Sequence, residues 1–216
     1  MDKRKRKIQS TYNRYVKRAI DLVLSGLALL FAWPILAVIA IIIKITDPGP
    51  ALFTQKRVGI KKNGELTYFP IYKFRTMKTS TPKDVPTHLL GNPEQWITGI
   101  GKILRKTSLD ELPQIWNIFK GNMSIVGPRP ALWNQYDLIE EREKYYANDV
   151  RPGLTVWAQI NGRDELPIDV KAKMDGDYVE KMGMLFDLKC FLLTITAVLR
   201  HDGVVEGGTG AAKGAK

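Results

Sequence analysis

Residues 22–43 read Leu-Val-Leu-Ser-Gly-Leu-Ala-Leu-Leu-Phe-Ala-Trp-Pro-Ile-Leu-Ala-Val-Ile-Ala-Ile-Ile-Ile and contain no charged side chain. As an α-helix this run would be roughly 33 Å long, against roughly 30 Å of hydrocarbon in a bilayer. Pro34 lies just past its middle, where the missing amide hydrogen and the bulk of the ring kink a helix. The sequence therefore predicts one membrane helix over residues 19–46, with a break at Pro34.

Basic residues flank this apolar run on both sides. Residues 1–18 carry eight Lys and Arg against one Asp, a net charge of +7 within the +11 of the whole chain. Residues 44–75 carry seven Lys and Arg against two acids. Because the inside flank of a spanning helix is the more basic one, two basic flanks favour a hairpin that enters and leaves by the same face. A kinked spanning helix is the alternative.

The charge distribution also indicates the partners. Cations near an anionic cytoplasmic leaflet contribute about 1 kcal/mol each, so residues 1–18 are expected to form a basic membrane-proximal segment. Nucleic acid is not an expected partner, because no interleaving of aromatic and basic residues follows. The single cysteine, Cys190, excludes an intrachain disulfide and suits a cytosolic domain, expected over residues 47–203. Residues 204–216 are low in complexity and are expected to be a disordered tail.

The segment after the membrane helix predicts a mostly helical domain with one β-hairpin. Strands are expected at residues 51–55 and 66–75, joined through an Asn-Gly turn within 61–64. Helices are expected at 96–104, 108–120, where Gly121 closes the helix, 131–146, and once or twice within 175–199, with loops at 79–91, 124–130 and 151–163. Apolar residues at helical spacing near the end fit either core packing or a membrane-surface helix. They are Leu188, Phe191, Leu192, Ile195, Val198 and Leu199.

Two adjacent carboxylates, Asp110 and Glu111, stand in the first turn of a predicted helix with Ser108 as its N-cap. They could serve the helix alone, with Glu111 completing a capping box and Asp110 favouring the helix dipole, each worth about 0.3–1 kcal/mol. They could instead act on a substrate. Because successive helix positions differ by about 100°, one carboxylate would address an electrophile and the other a metal beside it. A carboxylate that attacks phosphorus forms an acyl phosphate.

Two further segments carry arginines on constrained loops. Flanking prolines fix the backbone on both sides of Arg129, whose guanidinium suits bidentate binding of phosphate. A second, glycine-bounded loop carries Arg151, Asn161 and Arg163, which suit an anionic polar ligand. Each of these loops, taken alone, is also compatible with an ordinary surface turn.

Five motifs, taken together and in order, resemble the bacterial sugar transferase family, the monotopic phosphoglycosyl transferases or polyprenyl-phosphate sugar-1-phosphate transferases. They are residues 53–59 (FTQKRVG), 72–77 (YKFRTM), 109–114 (LDELPQ), 121–130 (GNMSIVGPRP) and 151–163 (RPGLTVWAQINGR). The resemblance runs from about residue 14 to 200. The chain is similar to small members of the family, because only a basic tail precedes the membrane segment.

The resemblance implies an activity and its machinery. Family members transfer a sugar-1-phosphate from a UDP-sugar to undecaprenyl phosphate and release UMP, at the cytoplasmic face of the bacterial inner membrane. This is the first membrane step of glycoconjugate synthesis. Here Asp110 would be the nucleophile that takes the phosphosugar covalently, and Glu111 would hold the required Mg²⁺. The family's re-entrant helix breaks at a proline that matches Pro34, which favours the hairpin.

The same resemblance gives candidates for substrate binding. They are Arg75, Arg105, Arg129, Arg151, Asn161 and Arg163, of which Arg129 would bind a phosphate. The chain departs from the family at Trp33, where a Ser before the breaking proline is common, and at Val156, where glycine is usual. The expected fold is α+β: a re-entrant membrane helix hairpin and a mostly helical cytoplasmic catalytic domain with a short β-hairpin and interfacial amphipathic helices.

Two other functions compete with catalysis. A non-catalytic membrane scaffold would use the basic segment for lipid binding, but it leaves the phosphate-suited loops without a purpose. A spanning subunit of a glycan exporter would normally need more than one hydrophobic segment. The partners expected from the favoured hypothesis are a UDP-sugar, undecaprenyl phosphate and the anionic lipids of the cytoplasmic leaflet.

Overall fold

The computed structural model describes residues 2–82, 92–157 and 167–199. Within these ranges the helices are α1 Lys3–Ile8, α2 Lys17–Thr46, α3 Gly99–Lys106, α4 Gln114–Lys120, α5 Tyr136–Glu143, α6 Ile168–Lys181 and α7 Met184–Leu199. The strands are β1 Leu52–Lys62, β2 Glu65–Phe74, β3 Ser124–Val126 and β4 Gly153–Thr155. A π-helical turn covers Tyr12–Val16, and 3₁₀ turns cover Pro93–Trp96, Leu109–Glu111 and Ala147–Asp149. This mixture confirms the α+β class.

The apolar helix predicted from the sequence is α2. Together with the preceding π-helical turn it forms the run Tyr12–Thr46, and among the described residues this run alone is long and apolar enough to cross a membrane. Only 11% of its most apolar window is buried, unlike the core helix of a soluble domain. The helix is continuous through Pro34, so the expected division into two half-helices is not confirmed. Proline removes one backbone hydrogen bond, and the bonds on either side keep the helix intact.

Both ends of α2 pack against the same domain. Near the N-terminal end, Asp21 accepts a hydrogen bond from the backbone N–H of Ile125 in β3 (2.9 Å). Near the C-terminal end, Ile43 is buried in a cluster that includes Phe74 of β2 and Leu104 of α3. The domain therefore holds the apolar helix at two places rather than hanging from one end of it.

The β-hairpin forms around the predicted turn. β1 and β2 are antiparallel, with Lys62 opposite Glu65 next to the turn. Asn63 and Gly64 have φ values of 52° and 85°, the left-handed backbone that a two-residue type I′ turn requires. β1 is longer than expected, because its pairing with β2 continues up to the turn with one irregularity after Val58.

The loops predicted at 124–130 and 151–163 each contain a short strand instead. β3 and β4 are parallel, with Ser124 opposite Gly153 and Val126 opposite Thr155. A Cβ added to Gly153 would lie 2.0 Å from the backbone nitrogen of Gly127, so the strands meet where neither residue carries a side chain. Residues 158–163 of the second loop lie outside the described ranges.

Two predicted helices have different bounds. α3 begins at Gly99 rather than at residue 96, because the Thr98 hydroxyl caps it by accepting from the N–H of Gly101 (3.0 Å). α5 covers only the middle of the predicted 131–146, because the carbonyl of Ala131 accepts from Val58 of β1 (3.0 Å) and keeps this end extended.

The remaining predictions concern residues 175–199, the loop 79–91 and the tail 204–216. The predicted region 175–199 forms two helices, of which α6 begins earlier, at Ile168. Residues 83–91 of the predicted loop 79–91 and the predicted tail 204–216 lie outside the described ranges.

The basic segment 1–18 is partly folded onto the domain. Lys3 and Arg4 pair with Glu180 of α6 at 2.8 and 3.3 Å. At the start of α2, Lys17 forms a buried ion pair with Asp187 of α7. Some of the cations expected at the lipid surface therefore bind protein carboxylates, and the lipid contact of the others stays a prediction.

The apolar stripe on α7 faces outward. The described members of the predicted stripe are exposed over 40–53% of their surface. They are Leu188, Phe191, Leu192 and Ile195. Cys190, on the other side of the helix, is fully buried. Of the two interpretations of this stripe, core packing is wrong for these side chains, and a membrane-surface helix stays a prediction.

Candidate active site

Asp110 and Glu111 lie in the 3₁₀ turn that precedes α4, and they do not form the expected capping box. Ser108 has a left-handed backbone (φ 56°) and its side chain makes no capping hydrogen bond. Pro113 separates the 3₁₀ turn from α4, so residues 108–120 are not one helix. Gly121 does end α4 in the left-handed conformation, as predicted (φ 85°).

The Glu111 carboxylate is held between two cations. The Nζ atom of Lys73 lies 2.6 Å from its Oε1 atom, and Nη2 of Arg129 lies 3.7 Å from the same oxygen. Burial alone would raise the pKa of Glu111, but the charges of Lys73 and Arg129, with a hydrogen bond from Lys73, lower it to about 2. Glu111 is therefore an anion at neutral pH.

Asp110 behaves in the opposite way. Burial raises its pKa, because the charged form loses hydration, and the neighbouring Glu111 charge raises it too. The positive charges of Lys73, Arg105 and Arg129 oppose this rise without cancelling it. Two adjacent carboxylates with pKa values displaced in opposite directions are a common arrangement in catalytic sites. A poorly hydrated carboxylate among three cations is suited to attack an anionic electrophile.

The loop that carries Arg129 is fixed at both ends. Arg57 of β1 donates to the carbonyl of Pro130 (3.0 Å), and the N–H of Gly153 in β4 donates to the carbonyl of Pro128 (2.8 Å). The two prolines predicted a rigid loop, and these bonds join it to both sheets. Arg129 is thereby placed beside Glu111 by elements distant in sequence.

Arg105 also lies near the carboxylates. It is close enough to influence the pKa of Asp110, and its Nε donates to the hydroxyl of Thr76 (2.9 Å). The structure therefore brings together four of the residues predicted from the sequence: Asp110, Glu111, Arg105 and Arg129.

Of the remaining predicted residues, Arg75 and Arg151 contact other parts of the protein. Arg75 is buried and pairs with the carboxylate of Asp47 at the end of α2 (3.2 Å). Arg151 donates from Nε to the carbonyl of Gly121 (3.2 Å). Asn161 and Arg163 lie outside the described ranges. For all four residues, substrate binding stays a prediction.

Lys73 and Gln114 are the site residues that sequence reasoning missed. Lys73 is the second-last residue of strand β2, a type of element in which lysine is depleted, and that position was a usable signal. Gln114 is the last residue of the LDELPQ motif, and it is only 2% exposed. The contact of Lys73 with Glu111 could not be read from spacing, because it depends on how β2 packs against the 3₁₀ turn.

The two carboxylates also bear on metal binding. The described residues contain no group of three or more His, Cys, Asp or Glu that could hold a metal ion. Mg²⁺ does not need such a group, since it commonly binds one or two carboxylates together with substrate phosphates. An ionised Glu111 next to Asp110 fits that mode.

We predict that Lys73→Met raises the pKa of Glu111 from about 2 towards the ordinary glutamate value of about 4.3, because the nearest positive charge is removed. The pKa of Asp110 should rise further for the same reason. Titration of ¹³C-labelled carboxyl groups by NMR, with the Glu111 signal assigned from Glu111→Gln, measures both. Lys61→Met, which removes the cation paired with Glu143, is the matched control and should leave both values unchanged. An unchanged Glu111 pKa in Lys73→Met would contradict the assignment.

Comparison with a protein-family profile and comparison with individual proteins agree with each other. The profile of a family described as "Bacterial sugar transferase" matches residues 12–201. The chain is 39% identical over 193 residues to the UDP-glucose:undecaprenyl-phosphate glucose-1-phosphate transferase of Escherichia coli (strain K12), covering 86% of this chain and 40% of that protein. The uncharacterized sugar transferase EpsL of Bacillus subtilis (strain 168) is 35% identical over 191 residues, covering 88% of this chain and 91% of EpsL.

A third relative is the exopolysaccharide production protein ExoY of Sinorhizobium fredii (strain NBRC 101917 / NGR234). It is 35% identical over 201 residues, which cover 87% of each protein. The chain thus spans about two fifths of the length of the Escherichia coli relative and nearly all of EpsL and ExoY.

Proposed function

Because the chain belongs to the bacterial sugar transferase family, we propose that it transfers a sugar-1-phosphate from a UDP-sugar to undecaprenyl phosphate and releases UMP. The observation that carries the proposal is the pair of carboxylates, one poorly hydrated and one ionised, surrounded by Lys73, Arg105 and Arg129. Relatives named as undecaprenyl-phosphate glucose and galactose transferases support it. The name of ExoY supports a role in exopolysaccharide production.

The proposed reaction has two displacements at one phosphorus atom. An oxygen of Asp110 attacks the phosphorus next to the sugar, and the bond from that phosphorus to the UMP oxygen breaks. The product is an aspartyl phosphosugar, and UMP leaves. An oxygen of undecaprenyl phosphate then attacks the same phosphorus and displaces the Asp110 carboxylate. A covalent intermediate allows a soluble donor and a lipid acceptor to use one site in turn.

The cations and Glu111 serve the charged donor. Arg129 and Arg105 would bind phosphate oxygens, since guanidinium matches their geometry. Glu111, ionised at neutral pH, would hold Mg²⁺ together with the donor's phosphates. Bound Mg²⁺ supplies charge neutralisation that lowers repulsion between the pyrophosphate and the carboxylates. Lys73 keeps Glu111 ionised and oriented through its 2.6 Å contact.

We infer that α2 is re-entrant and that the domain lies at the cytoplasmic face of the membrane. A Cβ added to Gly26 would lie 3.5 Å from the Phe119 ring of α4, so the helix passes close to α4 here, and Leu36 packs on the cluster around Ile43 at the other end. These two contact points are separated by roughly 15 Å of helix, about half of the hydrocarbon thickness. A domain that meets the helix at both points leaves too little free helix to cross the bilayer. The basic flanks place that domain in the cytoplasm.

The outward apolar residues of the domain fit the same placement. Trp116 and Phe119 on α4 are exposed over 42% and 36% of their surface, and Lys120 lies over the Trp116 ring. Aromatic rings next to cations are typical of the membrane–water interface. We propose that α4 and the apolar stripe of α7 lie in that interface.

Asp110→Asn is predicted to abolish transfer while the protein still inserts and folds, because an amide cannot displace UMP. UMP release from a UDP-sugar in the presence of undecaprenyl phosphate measures the activity. Asp169→Asn, an exposed carboxylate on α6, is the control and should be fully active. Mass spectrometry of wild-type protein incubated with the UDP-sugar alone should show a phosphosugar on Asp110. An adduct on another residue would overturn the mechanism, and a wild type that releases no UMP with any UDP-sugar tested would favour a non-catalytic scaffold.

We also predict that activity requires Mg²⁺ and that Glu111→Gln raises the Mg²⁺ concentration needed for half-maximal rate, besides lowering that rate. The reason is the loss of an ionised oxygen donor. A Mg²⁺ titration of UMP release compares Glu111→Gln with Glu143→Gln, whose carboxylate pairs with Lys61 away from the site. Full wild-type activity in excess chelator would remove Glu111 from the metal role.

The re-entrant topology predicts that residues on both sides of α2 are cytoplasmic. Single cysteines replace Lys5 and Lys62 in a Cys190→Ala background, alanine being chosen because Cys190 is buried among apolar residues. A membrane-impermeant maleimide applied from the periplasmic side of intact cells should label neither position. A permeant maleimide should label both, which shows that each thiol is reactive. Labelling of either position by the impermeant reagent would mean that the chain spans the membrane.

A further inference from the structure

The two segments of the site come from different parts of the chain and contact each other. Asp110 and Glu111 lead into α4, whereas Arg129 follows β3. The contact is the 3.7 Å separation between Arg129 and Glu111. Since neither segment contains the other, their relative position depends on the elements that contact both of them. α2 is such an element, because it makes hydrogen bonds to each segment.

Arg18 of α2 holds the segment that carries the carboxylates. Its two terminal nitrogens, Nη1 and Nη2, donate to the carbonyls of Ile118 and Phe119 in the last turn of α4, each at 2.7 Å. The last carbonyls of a helix lack partners within the helix and carry partial negative charge, so a guanidinium satisfies them well. Arg18 thereby fixes the C-terminal end of the short helix whose N-terminal side leads back to Glu111.

Asp21 of α2 holds the segment that carries Arg129. Its Oδ1 atom accepts from the N–H of Ile125 at 2.9 Å, and the side chain is almost completely buried (2% exposed). The neighbouring residue Ser124 donates to the carbonyl of Pro152 beside β4 (2.8 Å). Because backbone donors alternate along a strand, the N–H of Ile125 faces the edge of β3 that β4 does not cover. The Asp21 carboxylate occupies that edge at Ile125, which stands four residues before Arg129.

Arg18 and Asp21 are three positions apart, so they lie on one face of α2. We propose that they are positioning residues, which together set the distance between the carboxylate pair and Arg129. The membrane helix is then part of the frame of the active site as well as an anchor. This inference rests on the proposed function, because its consequence is a change in catalytic rate.

The test is a set of double-mutant cycles on full-length protein in membranes, with UMP release as the readout. Asp21→Ala and Arg129→Ala should each lower kcat/KM, by about 10- to 100-fold, since displacement of a catalytic group by about 1 Å has effects of that size. In the Arg129→Ala background, Asp21→Ala should lower kcat/KM by less than about twofold, because the group that it positions is gone. Multiplicative losses in the double variant would overturn the proposal. Arg18→Ala alone should also lower kcat/KM by about 10- to 100-fold, because Arg18 holds the segment that carries the carboxylates.

Conservative variants keep the test decisive if Asp21→Ala does not fold. Asp21→Asn retains an oxygen that can accept from Ile125, so it should keep kcat/KM within about threefold of wild type. A folded Asp21→Asn protein as inactive as Arg129→Ala would overturn the positioning role.

Glu180→Ala is the matched control. Glu180 is also a carboxylate that ties the N-terminal segment to the domain, through Lys3 and Arg4, but it stands on α6, which carries no residue of the site. Its loss should leave kcat/KM unchanged in both backgrounds, and coupling to Arg129 as strong as that of Asp21 would overturn the proposal. An inactive wild type would instead be a failure of the proposed function, so the two failures are distinguishable.

Discussion

An apolar helix whose two ends bind one polar domain constrains the rest of this molecule. Much of the apolar surface of α2 is exposed, whereas Asp21 at one end and Ile43 at the other are buried in contacts with the domain. In the proposed membrane placement, the domain would therefore lie against the membrane along the helix. That proposed placement would bring the outward apolar faces of α4 and α7 into contact with lipid, and it would bring the carboxylate pair near the level of a lipid phosphate.

The charge environment of the site depends on three separate elements, each of which contributes one cation. Lys73 is supplied by β2, Arg105 by α3 and Arg129 by the loop after β3. Their charges outweigh burial at Glu111 but not at Asp110, which separates the behaviour of two carboxylates adjacent in sequence. Glu111 is therefore an anion at neutral pH that is suited to a cation, whereas Asp110 has a raised pKa and would serve as the nucleophile in the proposed reaction. A change in the packing of any of these three elements would alter this difference in pKa.

Local signals predicted the parts of the fold that local forces decide. The length of the apolar run predicted α2, Asn63-Gly64 predicted the hairpin turn, and Gly121 predicted the end of α4. The parallel pairing of β3 with β4 joins residues about 30 positions apart, and no periodicity reports such a contact. The capping box was wrong for a related reason: Lys73, distant in sequence, binds the glutamate that the box needs. The sequence pattern indicated Asp110 and Arg129 as candidates, whereas the hydrogen bonds of α2 to their segments are visible only in three dimensions.

Trp33 bears on how the chain tolerates a proline in the middle of α2. A proline at position 34 leaves the carbonyl of Leu30 without its helical donor, and a serine hydroxyl at position 33 could have compensated. Trp33 is 63% exposed, so most of its indole surface is not buried by the domain. The described polar contacts that hold α2 come from Arg18 and Asp21 near its start, and Ile43 is buried near its end. A helix fixed in this way keeps its placement even where its middle lacks the usual serine.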